Sequence, residues 1–198
     1  MPLPPELLRE LTPDEINALT IRRYEGEVRL VGTAHELEHA LVAWRDERVV
    51  GFDTETRPAF KPGQSYLPAL AQIATANAVY LLPLQRLDCS AAMRALLEAP
   101  HTVKAGVGLP DDFRALRKTF EFADKATVDL GAVARRHGLK QSGVRYLAAR
   151  FLGSRIPKGA KTSNWAAPRL SPQQIAYAAT DAWVCRELFL NFQGAGLI

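Results

Sequence analysis

A short β-branched and aromatic run ends abruptly in acid: Val49-Val50-Gly51-Phe52 leads straight into Asp53-Thr54-Glu55. The apolar half predicts a central, buried strand over Val49 to Asp53. Residues two apart on a strand share a face, so Asp53 and Glu55 point the same way. Like charges held that close repel unless a cation lies between them. A strand end turning into solvent is the plainer reading of the same residues.

Two further segments carry acids of the same kind. Asp112 follows a buried strand over Thr102 to Val107, in Gly106-Val107-Gly108-Leu109-Pro110-Asp111-Asp112. Acids at a helix start are favoured by capping and by the dipole, and Asp111 is the better cap, which leaves Asp112 free to point elsewhere. Asp181 follows Tyr177 by four residues on a helix opened by Ser171-Pro172-Gln173-Gln174, so both side chains share one face. Its neighbours Ile175, Ala178, Ala179, Trp183 and Val184 predict that much of this helix is buried, where an unpaired Asp181 is expensive. Four converging carboxylates point to divalent metal, and two metals suit phosphodiester hydrolysis.

Around these segments the chain reads as an α/β fold. Capping boxes open helices at Thr12 and Thr33. Leu70 to Thr75 and Ala78 to Leu82 form a hairpin, and residues 21–31 form one or two edge strands. Helices are expected over Ser90–Glu98, Asp112–Phe120, 130–137 and 143–152, with a short strand over Ala126–Asp129 and a long final helix ending near Gly194. A hairpin meander followed by alternating strands and helices predicts a mostly parallel sheet with one antiparallel strand, flanked by helices. Residues 1–11 read as a loose proline-rich arm. Residues 1–32 are expected to form an N-terminal arm with edge elements, and 33–198 one domain.

The 198 residues suffice for one domain with a proper core. No apolar run approaches a membrane span. The start MPLPPELLRE shows no secretory pattern, and two cysteines, Cys89 and Cys185, form no metal or disulfide framework. A cytoplasmic protein is expected. Between Arg135 and Arg169 there are nine Lys and Arg residues and no acid. That stretch points to a polyanion partner rather than to a merely solvated face.

Three other patterns are set aside. His35-Glu36-Leu37-Glu38-His39 matches a zinc-protease pattern, but Glu36 belongs to the capping box with Thr33. Gly106-Val107-Gly108 begins like a dinucleotide loop, but Asp111 stands where the third glycine belongs. Cys89 has no recognisable nucleophile motif around it.

Taken together, Gly51-Phe52-Asp53-Thr54-Glu55, the segment ending in Asp112, Tyr177-Ala178-Ala179-Thr180-Asp181, and Ser163-Asn164-Trp165 followed by Leu170 resemble the DEDD superfamily of 3′–5′ exonucleases. The match is to the tyrosine branch, the ribonuclease D and Werner-syndrome exonuclease-domain group, over residues 33–192. The histidine branch would place its base at Ala176. Asp111 and Asp112 both remain candidates for the second-motif ligand. The resemblance implies a ribonuclease H-like fold and two Mg²⁺ or Mn²⁺ ions about 4 Å apart. It implies that Asp53, Glu55, Asp112 and Asp181 hold the ions and that Tyr177 orients the attacking water. Nucleoside 5′-monophosphates would then leave the 3′ end of single-stranded DNA or RNA. Arg155, Lys158 and Lys161 are the candidates for drawing the strand in, with Trp165 as a stacking surface. The competing class is a non-catalytic nucleic-acid-binding module on the same fold, and a structural Ca²⁺ domain is a remoter one.

Overall fold

The computed structural model describes residues 3–61, 63–157 and 162–198. In chain order the elements are α1 (Pro5–Leu8), α2 (Pro13–Ala18), β1 (Glu27–Leu30), α3 (Ala34–Arg45), β2 (Val49–Thr56), β3 (Pro68–Ala74), β4 (Ala78–Pro83) and α4 (Ser90–Leu97). They continue with β5 (Val103–Gly106), α5 (Leu109–Leu116), β6 (Thr127–Asp129), α6 (Leu130–Arg136), α7 (Val144–Phe151) and α8 (Pro172–Gly194). Among the described residues the strands form one six-stranded sheet in the order β1-β4-β3-β2-β5-β6. β3 runs antiparallel to both neighbours, and every other pairing is parallel. The expected mixed sheet with one antiparallel strand is therefore the sheet found.

Alternation along β2 sorts the two helical layers. Val50 and Phe52 face α3, α4 and α5, where Trp44, Met93, Leu97, Leu109 and Phe113 complete one core. Val49 faces the opposite layer of α6, α7 and α8, beside Leu130, Leu147, Val184 and Leu188. β3 and β4 are buried along their whole length, as expected for strands covered on both faces. Gly51 marks where α8 crosses β2 most closely. A Cβ there would lie 1.9 Å from the Ala182 carbonyl oxygen, so only glycine admits this approach.

Two local features differ from the sequence reading. α5 begins at Leu109, three residues before Asp112, because Gly108 caps it in the left-handed region at φ 86°. Asp111 is therefore no cap; it lies in the first turn and pairs with Arg114 at 2.8 Å. The N-terminal segment is also not loose. α1 lies within it, Leu3 and Leu8 pack against the α6–α8 core, and Leu11 exchanges two backbone hydrogen bonds with the Gln141 amide, at 2.8 and 3.0 Å. Proline content signalled irregular backbone, but apolar side chains between the prolines dock it. No helix among the described residues is long and apolar enough to cross a membrane.

Candidate active site

The site lies where β2 outruns its neighbour. Gly51 pairs with Ala105, and β5 ends at Gly106, while β2 continues to Thr56. Carboxyl ends of neighbouring parallel strands leave a crevice in α/β sheets, and β2 delivers its acids into one.

Asp53 and Glu55 share the β2 face that Gly51 turns toward α8. Asp181 comes down from α8 next to Ala182, the point of closest approach. Oxygens of Asp53, Glu55 and Asp181 all lie within 4.8 Å of one another. Glu55 and Asp181 are buried, and Asp53 is half-buried. Asp112 arrives from the other helical layer. Its Oδ1 accepts a hydrogen bond from Thr54 Oγ1 at 2.5 Å, and Thr54 points away from the Asp53 face. Asp112 thus stands on the far side of the strand end, while Asp111 is exposed and turned toward Arg114.

The electrostatics are those of an unneutralised anion cluster. Burial, then the charges of Asp181, Asp112 and Glu55, hold the Asp53 carboxyl well above its ordinary range. Burial pushes Asp181 up to about 6, against a hydrogen bond from Tyr177 and the charge of Arg145 that pull it down. Burial likewise pushes Asp112 up to about 6, opposed by the Thr54 hydrogen bond. The Tyr177 hydroxyl is raised far above its ordinary value by burial and by the Asp181 and Glu55 charges, so it stays protonated and donates. One turn along α8 from Asp181, Cys185 is buried beneath the cluster and is also raised, by burial first and then by Asp53 and Asp181. Such a donor set, all oxygen and short of positive charge, suits Mg²⁺ or Mn²⁺ rather than a thiophilic metal.

Two contributors were not singled out from sequence. Thr54 sat unread between the two acids, and nothing local shows that it faces Asp112. Arg145 was counted only as one of nine basic residues. α7 and α8 run side by side, with the Phe151 ring meeting Phe192 edge-on at 4.7 Å and its carbonyl bonded by Asn191, and the charge of Arg145 at the start of α7 reaches Asp181.

The nucleic-acid candidates fare differently. Trp165 is 1 % exposed and packs on the Tyr177 ring at 5.9 Å, so it supports the tyrosine and offers no face to a base. Its aromatic type suggested stacking, but the burial came from contacts with β3, β4 and α8. Arg155 is half-buried and bridges through its backbone to Ile21. Lys158 and Lys161 lie outside the described residues. The basic stretch is not one bare face. Arg150 donates to the Glu6 and Arg9 carbonyls, Lys140 approaches Glu10 at 3.8 Å, and Arg135 bonds Ser142. His35 and His39 meet at 3.2 Å, with Glu36 held in its capping box, and no third metal-ligand type joins them among the described residues.

Comparison with known proteins agrees with this geometry. A family model described as 3′–5′ exonuclease matches residues 28–195. The bifunctional 3′–5′ exonuclease/ATP-dependent helicase WRN of Mus musculus is 32% identical over 145 residues, covering 70% of this chain and 10% of that protein. Ribonuclease D of Haemophilus influenzae is 32% identical over 149 residues, covering 73% of this chain and 36% of that protein. The chain therefore spans a tenth to about a third of the length of these relatives. In structure, the Aedes aegypti Nibbler EXO domain superposes with a TM-score of 0.78 at 23% identity, covering 89% of this chain and 92% of that one. At that identity the likeness speaks for the fold.

Proposed function

The chain belongs to the 3′–5′ exonuclease family, and from that premise we propose that it hydrolyses single-stranded nucleic acid from the 3′ end with two divalent ions held by Asp53, Glu55, Asp112 and Asp181. The observation that carries this reading is the meeting of Asp53, Glu55 and Asp181 oxygens within 4.8 Å, with Asp112 behind them. A cluster that raises Asp53 so far has the negative charge a cation needs. Bound Mg²⁺ or Mn²⁺ would supply the charge that activates water and stabilises the departing 3′ oxygen.

The remaining work falls to the chain. Asp53, Glu55 and Asp181, drawn together from β2 and α8, would hold the ions, and Asp112, tied to Thr54, would support them from the α5 side. Tyr177 keeps its proton, so it orients the attacking water as a hydrogen-bond donor or acceptor and is no general base. Trp165 packs behind its ring and limits its movement. Arg145 offsets part of the anion cluster near Asp181 and eases approach of the phosphate.

The test uses 5′-labelled single-stranded DNA and a matching RNA with Mg²⁺, Mn²⁺ or EDTA. A metal-dependent ladder shortening from the 3′ end, lost in Asp53→Asn, is expected, and its strength on the two strands gives the preferred sugar. No cleavage of either strand by the wild-type protein, with strand binding intact, would turn the reading to a binding module.

A further inference from the structure

Beside the carboxylate cluster, on the other side of Tyr177, the surface opens into a cavity of about 420 Å³. Gln173, Ala176, Tyr177 and Thr180 form one wall, at spacings that place them on a single stripe of α8. Ile156 forms the facing wall, and Arg23 is the one charged residue of the lining among the described residues. Its size falls in the range of about 300–1,000 Å³ usual for small-molecule sites.

Arg23 comes from a segment that precedes the sheet, and that segment is firmly docked. Arg22 N–H donates to the Arg155 carbonyl and Arg155 N–H to the Thr20 carbonyl, each at 3.0 Å. Tyr24 N–H donates to Thr180 Oγ1 at 3.1 Å. Arg22 lies over the Trp183 ring at 5.1 Å, and Tyr24 packs on the same ring at 6.0 Å. With its two neighbours turned onto Trp183, Arg23 points the other way, toward the cavity. It forms no ion pair among the described residues. Thr180 is already committed, giving its hydroxyl proton to the Ala176 carbonyl. Among the described residues, the outward polar groups of the cavity are thus a guanidinium and the Gln173 amide.

We propose that this cavity is a nucleotide subsite of the exonuclease, in which Arg23 holds the phosphate of a nucleotide on the 5′ side of the scissile bond. The inference rests on the exonuclease reading above. Tyr177 is a wall of both the cavity and the catalytic cluster, so the occupant of one adjoins the occupant of the other. Polarity follows from strand chemistry. The 3′-terminal nucleotide carries only the scissile phosphate, which belongs at the carboxylates. Any second phosphate in reach lies 5′ of it, and a guanidinium is the group suited to grip one. The N-terminal segment is thereby part of the substrate cleft.

The experiment compares kcat/KM on a dinucleoside monophosphate, whose single phosphate is the scissile one, with that on the trinucleotide extended by one residue at its 5′ end. Wild type should prefer the trinucleotide by about tenfold, the worth of one charged hydrogen-bonded contact. In Arg23→Ala that ratio should collapse toward one, while Arg94→Ala, on exposed α4 surface, should keep it. For longer single strands the slope of log affinity against log salt should fall by about 0.7 in Arg23→Ala. The segment is held by its backbone, so the melting temperature should not move. Should Arg23→Ala fail to fold, Ala176→Phe fills the same space from α8 and should abolish the same preference. A wild-type ratio near one, or a ratio unchanged in Arg23→Ala, overturns the subsite while leaving the exonuclease standing. Absence of cleavage of either substrate by wild type overturns the exonuclease itself.

Discussion

Removing metal should invert the usual response of a protein to mild acid. The carboxyl groups of Asp112 and Asp181 sit at about 6 in the native state against an ordinary 3.8. Between those values the folded chain binds protons that the unfolded chain has released, so native stability falls as pH rises through the window and levels off above it. For a group moving from 3.8 to about 6, the stability lost between pH 5 and pH 7.5 is about 1.4 kcal/mol. Two such groups give about 3 kcal/mol if they titrate independently, and less if they share protons with Asp53. A chain of this size shifts by roughly 2–4 °C per kcal/mol, so the EDTA-treated protein should melt about 6–12 °C higher at pH 5 than at pH 7.5. Mg²⁺ or Mn²⁺ at pH 7.5 should restore the difference, because an ion that binds only the native state stabilises by mass action. The assay is circular-dichroism melting at the two pH values, with EDTA or metal. The double variant Asp112→Asn/Asp181→Asn should lose the pH response. An EDTA-treated protein no more stable at pH 5 than at pH 7.5 would refute the account of the cluster as uncompensated charge.

Three substitutions probe other parts of the argument. Asp53→Asn removes the central charge, so turnover on a labelled strand should fall at least 10³-fold while the EDTA-treated protein melts higher than wild type; a lower melting temperature would mean Asp53 is structural. Tyr177→Phe should cost about 10²-fold in kcat with metal-induced stabilisation intact, since the ring still packs on Trp165 and only the oriented water is lost; unaltered kcat would remove Tyr177 from the mechanism. Gly51→Ala sets a methyl group 1.9 Å from the Ala182 carbonyl oxygen and 2.8 Å from the Arg186 nitrogen, both backbone atoms. It should cost about 3 kcal/mol or more in urea denaturation and weaken metal binding by lifting Asp181 from β2; a loss below about 1 kcal/mol would show that α8 can shift freely.

What the sequence made legible here is what local chemistry encodes. Period-two alternation and β-branching located β2, and a Ser-Pro-Gln-Gln start located α8, because those signals act within a few residues. The convergence of Asp53, Glu55 and Asp181 was readable only as an expectation from spacing and resemblance, since two elements 126 residues or more apart must cross to make it. Gly51 is the hinge of that crossing. In sequence it is an ordinary glycine in a strand, yet without it the helix carrying Asp181 would stand off the sheet. Trp165 was misread because it was judged by residue type along the chain, whereas exposure is decided by what packs across it. Two basic residues between Arg135 and Arg169 meet an N-terminal segment that looked unattached: Lys140 approaches Glu10, and Arg150 donates to the carbonyls of residues 6 and 9. That same docking carries Arg23 to the edge of the catalytic cleft. The segment that meets Lys140 and Arg150 thus also places Arg23 beside Tyr177, at the proposed subsite.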